Sequence, residues 1–305
     1  MKKKNLVIIG GGPAGLAAGI YAARAALDVV LLERGVPGGR AVSTDFIENY
    51  PGFIEGVGGP ELMSQMESQA RRFGLEVDSA NVERLTANEA GFMIGTDDGD
   101  IQAGAVIIAT GMQARSLGVK GEAEFLGRGV SFCATCDGAF FRDKKVAVVG
   151  GGDAAVEEAM FLTKFASKVY LIHRRDELRA TKVIQQRAFN NPKIEFVWSS
   201  TVTEIKGSAF IEGVVITGVH GGKTSFIPVE GVFMYIGNKP NSELVKGLAE
   251  VDEKGNIITD ENMGTSRPGL YAAGDVRRKL LRQVVTAVAD GAIAAVAAEG
   301  FLRNK

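Results

Sequence analysis

The chain has 305 residues, 46% of them hydrophobic and 23% charged, with 35 basic side chains against 36 acidic ones and a formal net charge of −1. That length accommodates two domains with separate cores, and so even a charge balance, without a long Lys/Arg run, gives no footing for a nucleic acid or another polyanion. Gly is abundant at 40 residues and Pro scarce at 8, which suits tight strand-to-helix turns rather than disorder.

The opening MKKKNLVIIGGGPAGLAAGIYAA has the basic start, apolar stretch and small residues of a signal peptide. Glycines 10, 11, 12, 15 and 19, with Pro13, interrupt that stretch, and their spacing has another explanation. No uninterrupted apolar run approaches the roughly 18 residues that a membrane span needs. Two cysteines in so long a chain also argue against a secreted disulfide scaffold. The expectation is a cytoplasmic protein without a membrane anchor.

Residues 6–9 (LVII) predict a short buried strand. Gly10, Gly12 and Gly15 follow in G-x-G-x-x-G spacing, with Pro13 and Ala14 between them, then the helical stretch LAAGIYAARAA and a second strand, VVLL, ending at Glu33. Residues 146–149 (VAVV) begin the same succession. Gly150, Gly152 and Ala155 fill the three turn positions, with Asp153 among them; helical VEEAMFLTKFA comes next, and VYLI leads to His173. Each feature of the second unit lies 140 positions beyond its counterpart, Gly150 after Gly10 and His173 after Glu33.

This unit has specific physics. The first Gly permits the tight turn, and the second lets the backbone approach a pyrophosphate. A Gly or Ala in third place lets helix and strand pack closely, while the helix N-terminus offers free N–H groups to the anion. Glu33 stands where a carboxylate hydrogen-bonds ribose hydroxyls, so the first site reads as one for FAD or NAD. The second unit has His173 there, followed by Arg174, Arg175 and Arg179. Guanidinium groups grip a 2′-phosphate bidentately, so the second site reads as one for NADP.

Between and after these units, GAVIIATG (104–111) predicts a strand ending at Thr110 and Gly111, and VFMYIG (232–237) another, followed by a loop, NKPNSE. GLYAAGD (269–275) is again strand-like, and an Ala-rich amphipathic stretch runs from Gln283 to about Leu302. This last part has no third dinucleotide turn, so it completes one of the other two domains. Spacing alone does not choose which.

Both cysteines, Cys133 and Cys136, fall in SFCATCDGAF (131–140). The pair can be two small buried hydrophobes, half of a zinc site, or a redox pair that opens and closes as a disulfide. Zinc would have to recruit His173 and His220 from distant positions, and His173 already sits in the second nucleotide motif.

GGGPAGLAAGIYAARA, ENYPG, ATG, CATCDG, VVGGGDAAVEEA, HRRDELRA and GLYAAGDV followed by RQV occur in that order. Together they resemble the low-molecular-weight thioredoxin reductases over essentially the whole chain. The resemblance implies an α/β fold of two Rossmann-like dinucleotide-binding domains, the NADPH domain (115–245) inserted into a discontinuous FAD domain (1–114 plus 246–305). Hydride would pass from NADPH to FAD, then electrons to a Cys133–Cys136 disulfide, and the dithiol would exchange with thioredoxin or a thioredoxin-like protein. By family position Gly39, Arg40, Asn49, Thr110, Gly111, Gly274, Asp275, Arg282, Gln283 and Val284 would join the first motif in holding FAD. Gly150, Gly152, Asp153, Ala155, His173 and the three arginines would hold NADPH.

Further implications concern the thiols. Asp137, next to Cys136, would be the acid–base of the exchange, with partial burial raising its carboxyl enough to carry a proton. Cys136 would face the flavin and Cys133 the partner, with the inserted domain rotating about connectors near 112–117 and 243–248. The family is dimeric, and the Ala-rich C-terminal stretch suits either a homodimer face or core. The wider-spaced N-terminal cysteine pair and C-terminal histidine of the larger, glutathione reductase-like enzymes are both missing. Two positions depart from the family pattern: Arg40 stands where many relatives carry Gln, a charge that would lie near the flavin, and Asp153 where some have Asn, beside the NADPH pyrophosphate. A reductase of another dithiol carrier (glutaredoxin-like or peroxiredoxin-linked), a flavin dithiol oxidase and a nucleotide-binding thiol sensor remain as alternatives. The intact HRR motif speaks against the oxidase.

Overall fold

A computed structural model describes residues 2–44, 46–219 and 221–304. The chain forms two compact units, residues 1–113 with 239–305, and residues 114–238. The sequence reading sets the boundaries at 114/115 and 245/246. Residues 239–245 go with the first unit because Val245 is fully buried in its core and Asn241 bonds to Thr110 and Gly111.

The first unit begins β1 (Lys2–Ile9), α1 (Pro13–Arg24), β2 (Val29–Glu33), α2 (Gly59–Arg72), β3 (Glu76–Ser79), β4 (Val82–Asn88), β5 (Gly91–Thr96) and β6 (Gly99–Ile108). The sheet order is β3-β2-β1-β6-β5-β4. Strands β3, β2, β1 and β6 run parallel, whereas β5 pairs antiparallel with β4 and β6. The LVII run is apolar throughout because both of its faces are covered. Leu6 and Ile8 join Leu31 and Ile107 in one core; Val7 and Ile9 join Val30 and Ile108 in the other. Strand β1 extends back to Lys2 along Ile101–Ala103, where Lys4 pairs with Asp28 and Glu76 at 2.9 and 2.5 Å.

Strand β7 (Met112–Ala114) leads into the second unit, which contains β8 (Val130–Ser131), α3 (Ala134–Asp137), β9 (Lys145–Gly150), α4 (Asp153–Leu162), β10 (Lys168–Ile172), α5 (Lys182–Phe189) and β11 (Ile194–Val197). An antiparallel sheet of β12 (Ser200–Gly207), β13 (Ile211–Gly218) and β14 (Thr224–Pro228) follows, then β15 (Gly231–Tyr235). The central sheet is parallel, in the order β11-β10-β9-β15-β8. Val146 and Val148 pack under α4, and Ala147 and Val149 pack against β12 and β13.

The chain leaves through β16 (Asn238–Pro240), which pairs with β7, so the NKPNSE stretch begins as a strand rather than a loop. Strand β17 (Leu270–Ala272) then pairs with β6, and α6 (Val284–Arg303) lies along α1. Against the expectation from uninterrupted runs, α6 is long and apolar enough to cross a membrane by length and composition. Its packing accounts for that composition: Ala287, Gly291, Ala294, Ala295 and Ala298 are buried, and a Cβ on Gly291 would lie 2.0 Å from the Ala14 carbonyl oxygen. Small side chains are what let the two helices come so close.

Candidate active site

Cys133 and Cys136 form a disulfide, with 5.4 Å between their Cα atoms. The bond selects the redox reading of the pair over the apolar and metal ones. Among the described residues no group of three or more His, Cys, Asp or Glu could hold a metal ion; His220 lies outside them. Cys133 is the extended N-cap of α3, and its Sγ accepts a hydrogen bond from the Cys136 amide at 3.1 Å. One turn of helix brings residues three apart onto one side, so the C-x-x-C spacing and the short α3 are the same fact.

Asp137 ends α3 half-buried, and its Oδ2 accepts a hydrogen bond from the Ser131 hydroxyl at 2.6 Å. Ser131 is buried at the end of β8, and its Oγ also accepts from the Cys133 amide at 3.0 Å. From β15 the Tyr235 hydroxyl accepts from the Ala134 amide at 2.9 Å. Ala134 itself is in the core with Phe141 and Phe233, whose rings meet edge to face at 5.3 Å. Sequence reasoning missed both Ser131 and Tyr235; the only available signal for Ser131 was its place two residues before Cys133.

In the first unit Gly10 adopts φ +107°, and a Cβ there would lie 2.4 Å from the Ala109 carbonyl oxygen. A Cβ on Gly15 would lie 1.9 Å from the Gly10 oxygen, so α1 meets the turn with no room for a methyl group. Glu33 braces this turn from β2: its Oε2 accepts from the Gly11 amide at 2.8 Å and its Oε1 from the Gly35 amide at 3.1 Å. Each oxygen keeps a lone pair for a ribose hydroxyl. Gly38 donates to the Gly11 carbonyl at 2.7 Å, which sets Gly39 beside Gly12 and puts the exposed Arg40 next in the chain.

Other segments of this unit carry the remaining first-site residues. Asn49 donates to Gln283 Oε1 at 3.2 Å, and Gln283 with Thr286 forms the capping box of α6, which starts at Val284. Thr110 donates to the Asn241 carbonyl at 2.6 Å, and the Asn241 amide group returns a bond to the Thr110 carbonyl at 2.8 Å. The Gly274 amide donates at 3.1 Å to Asp290, a buried carboxylate that Arg277 grips at 2.9 and 3.1 Å and Lys279 at 2.6 Å. Arg282 donates to Asn256 Oδ1 at 3.1 Å, and Asn256 is itself held by Asp252 at 2.9 and 3.1 Å. The sequence reading missed Asn241, Asn256, Arg277, Lys279 and Asp290, which act through other residues.

Burial pushes the Asp275 carboxyl above its usual range, against the opposing pull of Lys279, Arg282 and Arg40. The charge at position 40 thus bears on Asp275. Among the described residues the buried Oδ1 of Asp275 has no hydrogen-bond partner, and such an atom wants a donor. A ribityl or ribose hydroxyl is one, so this orphan and the glycine cradle fit a flavin dinucleotide.

In the second unit Gly150 adopts φ +156° where a Cβ would lie 2.5 Å from the Tyr235 carbonyl oxygen, and Gly152 at the start of α4 has open space before it. Ala155 fills the third position and is buried. Asp153 is occupied by the fold: its Oδ1 accepts from the Thr181 amide at 2.6 Å. Arg179 donates its amide to the Gly151 carbonyl at 2.7 Å, and the buried Gln185 donates to the carbonyls of Ala180 and Leu178 at 2.7 and 3.3 Å. Those bonds pin the loop 174–181, leaving Arg174, Arg175 and Arg179 exposed and, among the described residues, without an ion pair.

His173 is buried against Gly151, and its Nε2 has no hydrogen-bond partner among the described residues. Burial, then the charges of Arg179, Arg175 and Arg174, hold its imidazole below the ordinary 6.5. Three uncommitted guanidiniums beside an open helix N-terminus fit a phosphorylated dinucleotide.

Two dinucleotide turns and a C-x-x-C disulfide on one chain define a nucleotide-linked disulfide oxidoreductase. Residues 4–291 match the pyridine nucleotide-disulphide oxidoreductase family. Thioredoxin reductase of Peptoclostridium litorale is 49% identical over 306 residues, covering 98% of this chain and 97% of that one. That of Listeria monocytogenes is 46% identical over 301 residues, covering 98% and 94%. The crystal structure of Lactococcus lactis thioredoxin reductase superposes with a TM-score of 0.96 at 46% identity, covering 99% of this chain and 100% of that one. The chain belongs to the pyridine nucleotide-disulphide oxidoreductases, within them to the thioredoxin reductases.

Proposed function

We propose that this protein is an NADPH-dependent thioredoxin-disulfide reductase that carries FAD. The observation that carries the proposal is the Cys133–Cys136 disulfide, spanned by a short helix that ends at Asp137, on a chain with two dinucleotide turns. NADPH, one proton and the partner's disulfide become NADP⁺ and the partner's dithiol. A bound flavin supplies the link that accepts a hydride and passes two electrons to the disulfide.

The chain's own residues do the rest. Gly10, Gly12 and Gly15 admit a pyrophosphate, Glu33 receives ribose hydroxyls, and Asp275 and Arg282 orient the flavin end. Gly150, Gly152 and the α4 N-terminus take the second pyrophosphate, and Arg174, Arg175 and Arg179 its 2′-phosphate. Once reduced, the Cys133 thiolate attacks one sulfur of the partner's disulfide. That S–S bond breaks, a Cys133–partner disulfide forms, and the departing sulfur takes a proton from Asp137. The Cys136 thiolate then attacks the Cys133 sulfur, restoring the internal disulfide and releasing the partner's second thiolate, which water protonates.

The same reading has the enzyme working in the cytoplasm as a homodimer, and the exposed Ile293 and Val296 of α6 suit such an association. Steady-state turnover tests the proposal. With oxidised thioredoxin the yellow protein should consume one NADPH per disulfide reduced. NADPH consumption that runs to oxygen while thioredoxin stays oxidised would overturn it.

A further inference from the structure

The Asp137 carboxyl touches one protein donor, the Ser131 hydroxyl at 2.6 Å, and that contact leaves its Oδ1 without a hydrogen bond among the described residues. Ser131 is only 5% exposed and is fixed from both sides. It lies on β8, whose parallel pairing places it opposite Phe233 of β15, and its Oγ accepts the Cys133 amide at 3.0 Å. A second hydroxyl contact, to the Cys133 carbonyl at 3.2 Å, is longer than the one to Asp137. One hydroxyl proton serves one acceptor at a time, and the shorter contact, to Asp137, takes it.

We propose that Ser131 is the positioning residue of the acid–base: it ties one oxygen of Asp137 to the Cys133 backbone and so fixes the carboxyl relative to the segment that carries the thiols. The inference rests on Asp137 being the acid of thiol exchange. Ser131 touches no reacting atom. It acts by fixing the rotation of a carboxyl whose helix is a single turn long.

One consequence separates this role from mere packing. Removing the hydroxyl frees the carboxyl to turn, and a misplaced acid loses on the order of tenfold in rate; that loss depends on the carboxyl being there to misplace.

The test is a double-mutant cycle on the holoenzyme, with thioredoxin turnover measured for wild type, Ser131→Ala, Asp137→Asn and the double variant, and with flavin reduction by NADPH recorded in each. Asp137→Asn should lose turnover while its flavin is still reduced. Ser131→Ala should lower turnover about tenfold when Asp137 is intact, yet change nothing further when added to Asp137→Asn. Ser131→Thr, which keeps the hydroxyl, should restore turnover; Ser131→Gly supplies a second deletion if the alanine variant folds poorly. A Ser131→Ala loss of equal size in both backgrounds would overturn the inference alone. Full turnover by Asp137→Asn would instead remove the acid–base reading beneath it.

Discussion

Arg174→Ala/Arg175→Ala takes two exposed guanidiniums from a loop whose anchors do not use them. Those anchors are the Asp153–Thr181 bond at 2.6 Å, the Arg179 amide to Gly151 at 2.7 Å and Gln185 to Ala180 at 2.7 Å. The loop should therefore keep its shape, and the perturbation is one of charge alone. A hydrogen bond between charged groups contributes about 1.5–3 kcal/mol. Both arginines face solvent, where screening favours the low end, so each loss amounts to about tenfold in affinity. The pair should lower kcat/KM for NADPH by about a hundredfold, chiefly through KM, and leave the value for NADH within about twofold, since NADH lacks the phosphate. Initial rates with both nucleotides in wild type and variant give all four numbers. A wild type that uses NADPH and NADH equally, or a variant in which both fall together, would refute the assignment.

Gly15→Ala would put a methyl group 1.9 Å from the Gly10 carbonyl oxygen; overpacking of this kind costs about 1–3 kcal/mol or more. The purified variant should lose flavin from the first site while NADPH still binds the second unit, and wild-type flavin content would contradict the packing argument. His173 gives a pH dependence whose sign is fixed. Its folded-state affinity for a proton lies below the ordinary 6.5, so the unfolded chain takes the proton more readily and stability falls as pH drops below that value. Urea midpoints of His173→Asn should decline less than those of wild type as the buffer is acidified through this range, and parallel curves would remove the claim.

What the sequence made legible was what a local rule encodes. Gly10, Gly15 and Gly150 sit at or against turns whose sterics fix the residue type, Glu33 ends a strand at a fixed distance from the first of them, and the alternation of Leu6, Val7, Ile8 and Ile9 between two cores is visible as an unbroken apolar run. Residues that act through others left no such mark. Asp290 reads as one acid in an alanine-rich helix, yet it anchors Gly274, Arg277 and Lys279. Asn241 lies in a stretch with loop composition, and its bonds to Thr110 are 131 positions away in sequence. Asp153 reads as an added charge beside a pyrophosphate, whereas its carboxylate accepts the Thr181 amide. Long-range partners of this kind come from topology, which spacing does not carry.

The chemistry comes down to which thiol meets the partner. Cys136→Ser leaves Cys133 as the single thiol, with no second sulfur to resolve a mixed disulfide. Incubated with oxidised thioredoxin and analysed by non-reducing gel and mass spectrometry, alongside Cys133→Ser, it should accumulate a stable Cys133–thioredoxin disulfide, its flavin still reducible by NADPH and its turnover lost. Preferential trapping through Cys136 in the Cys133→Ser variant would reverse the two roles, and full thioredoxin turnover by either variant would contradict the mechanism.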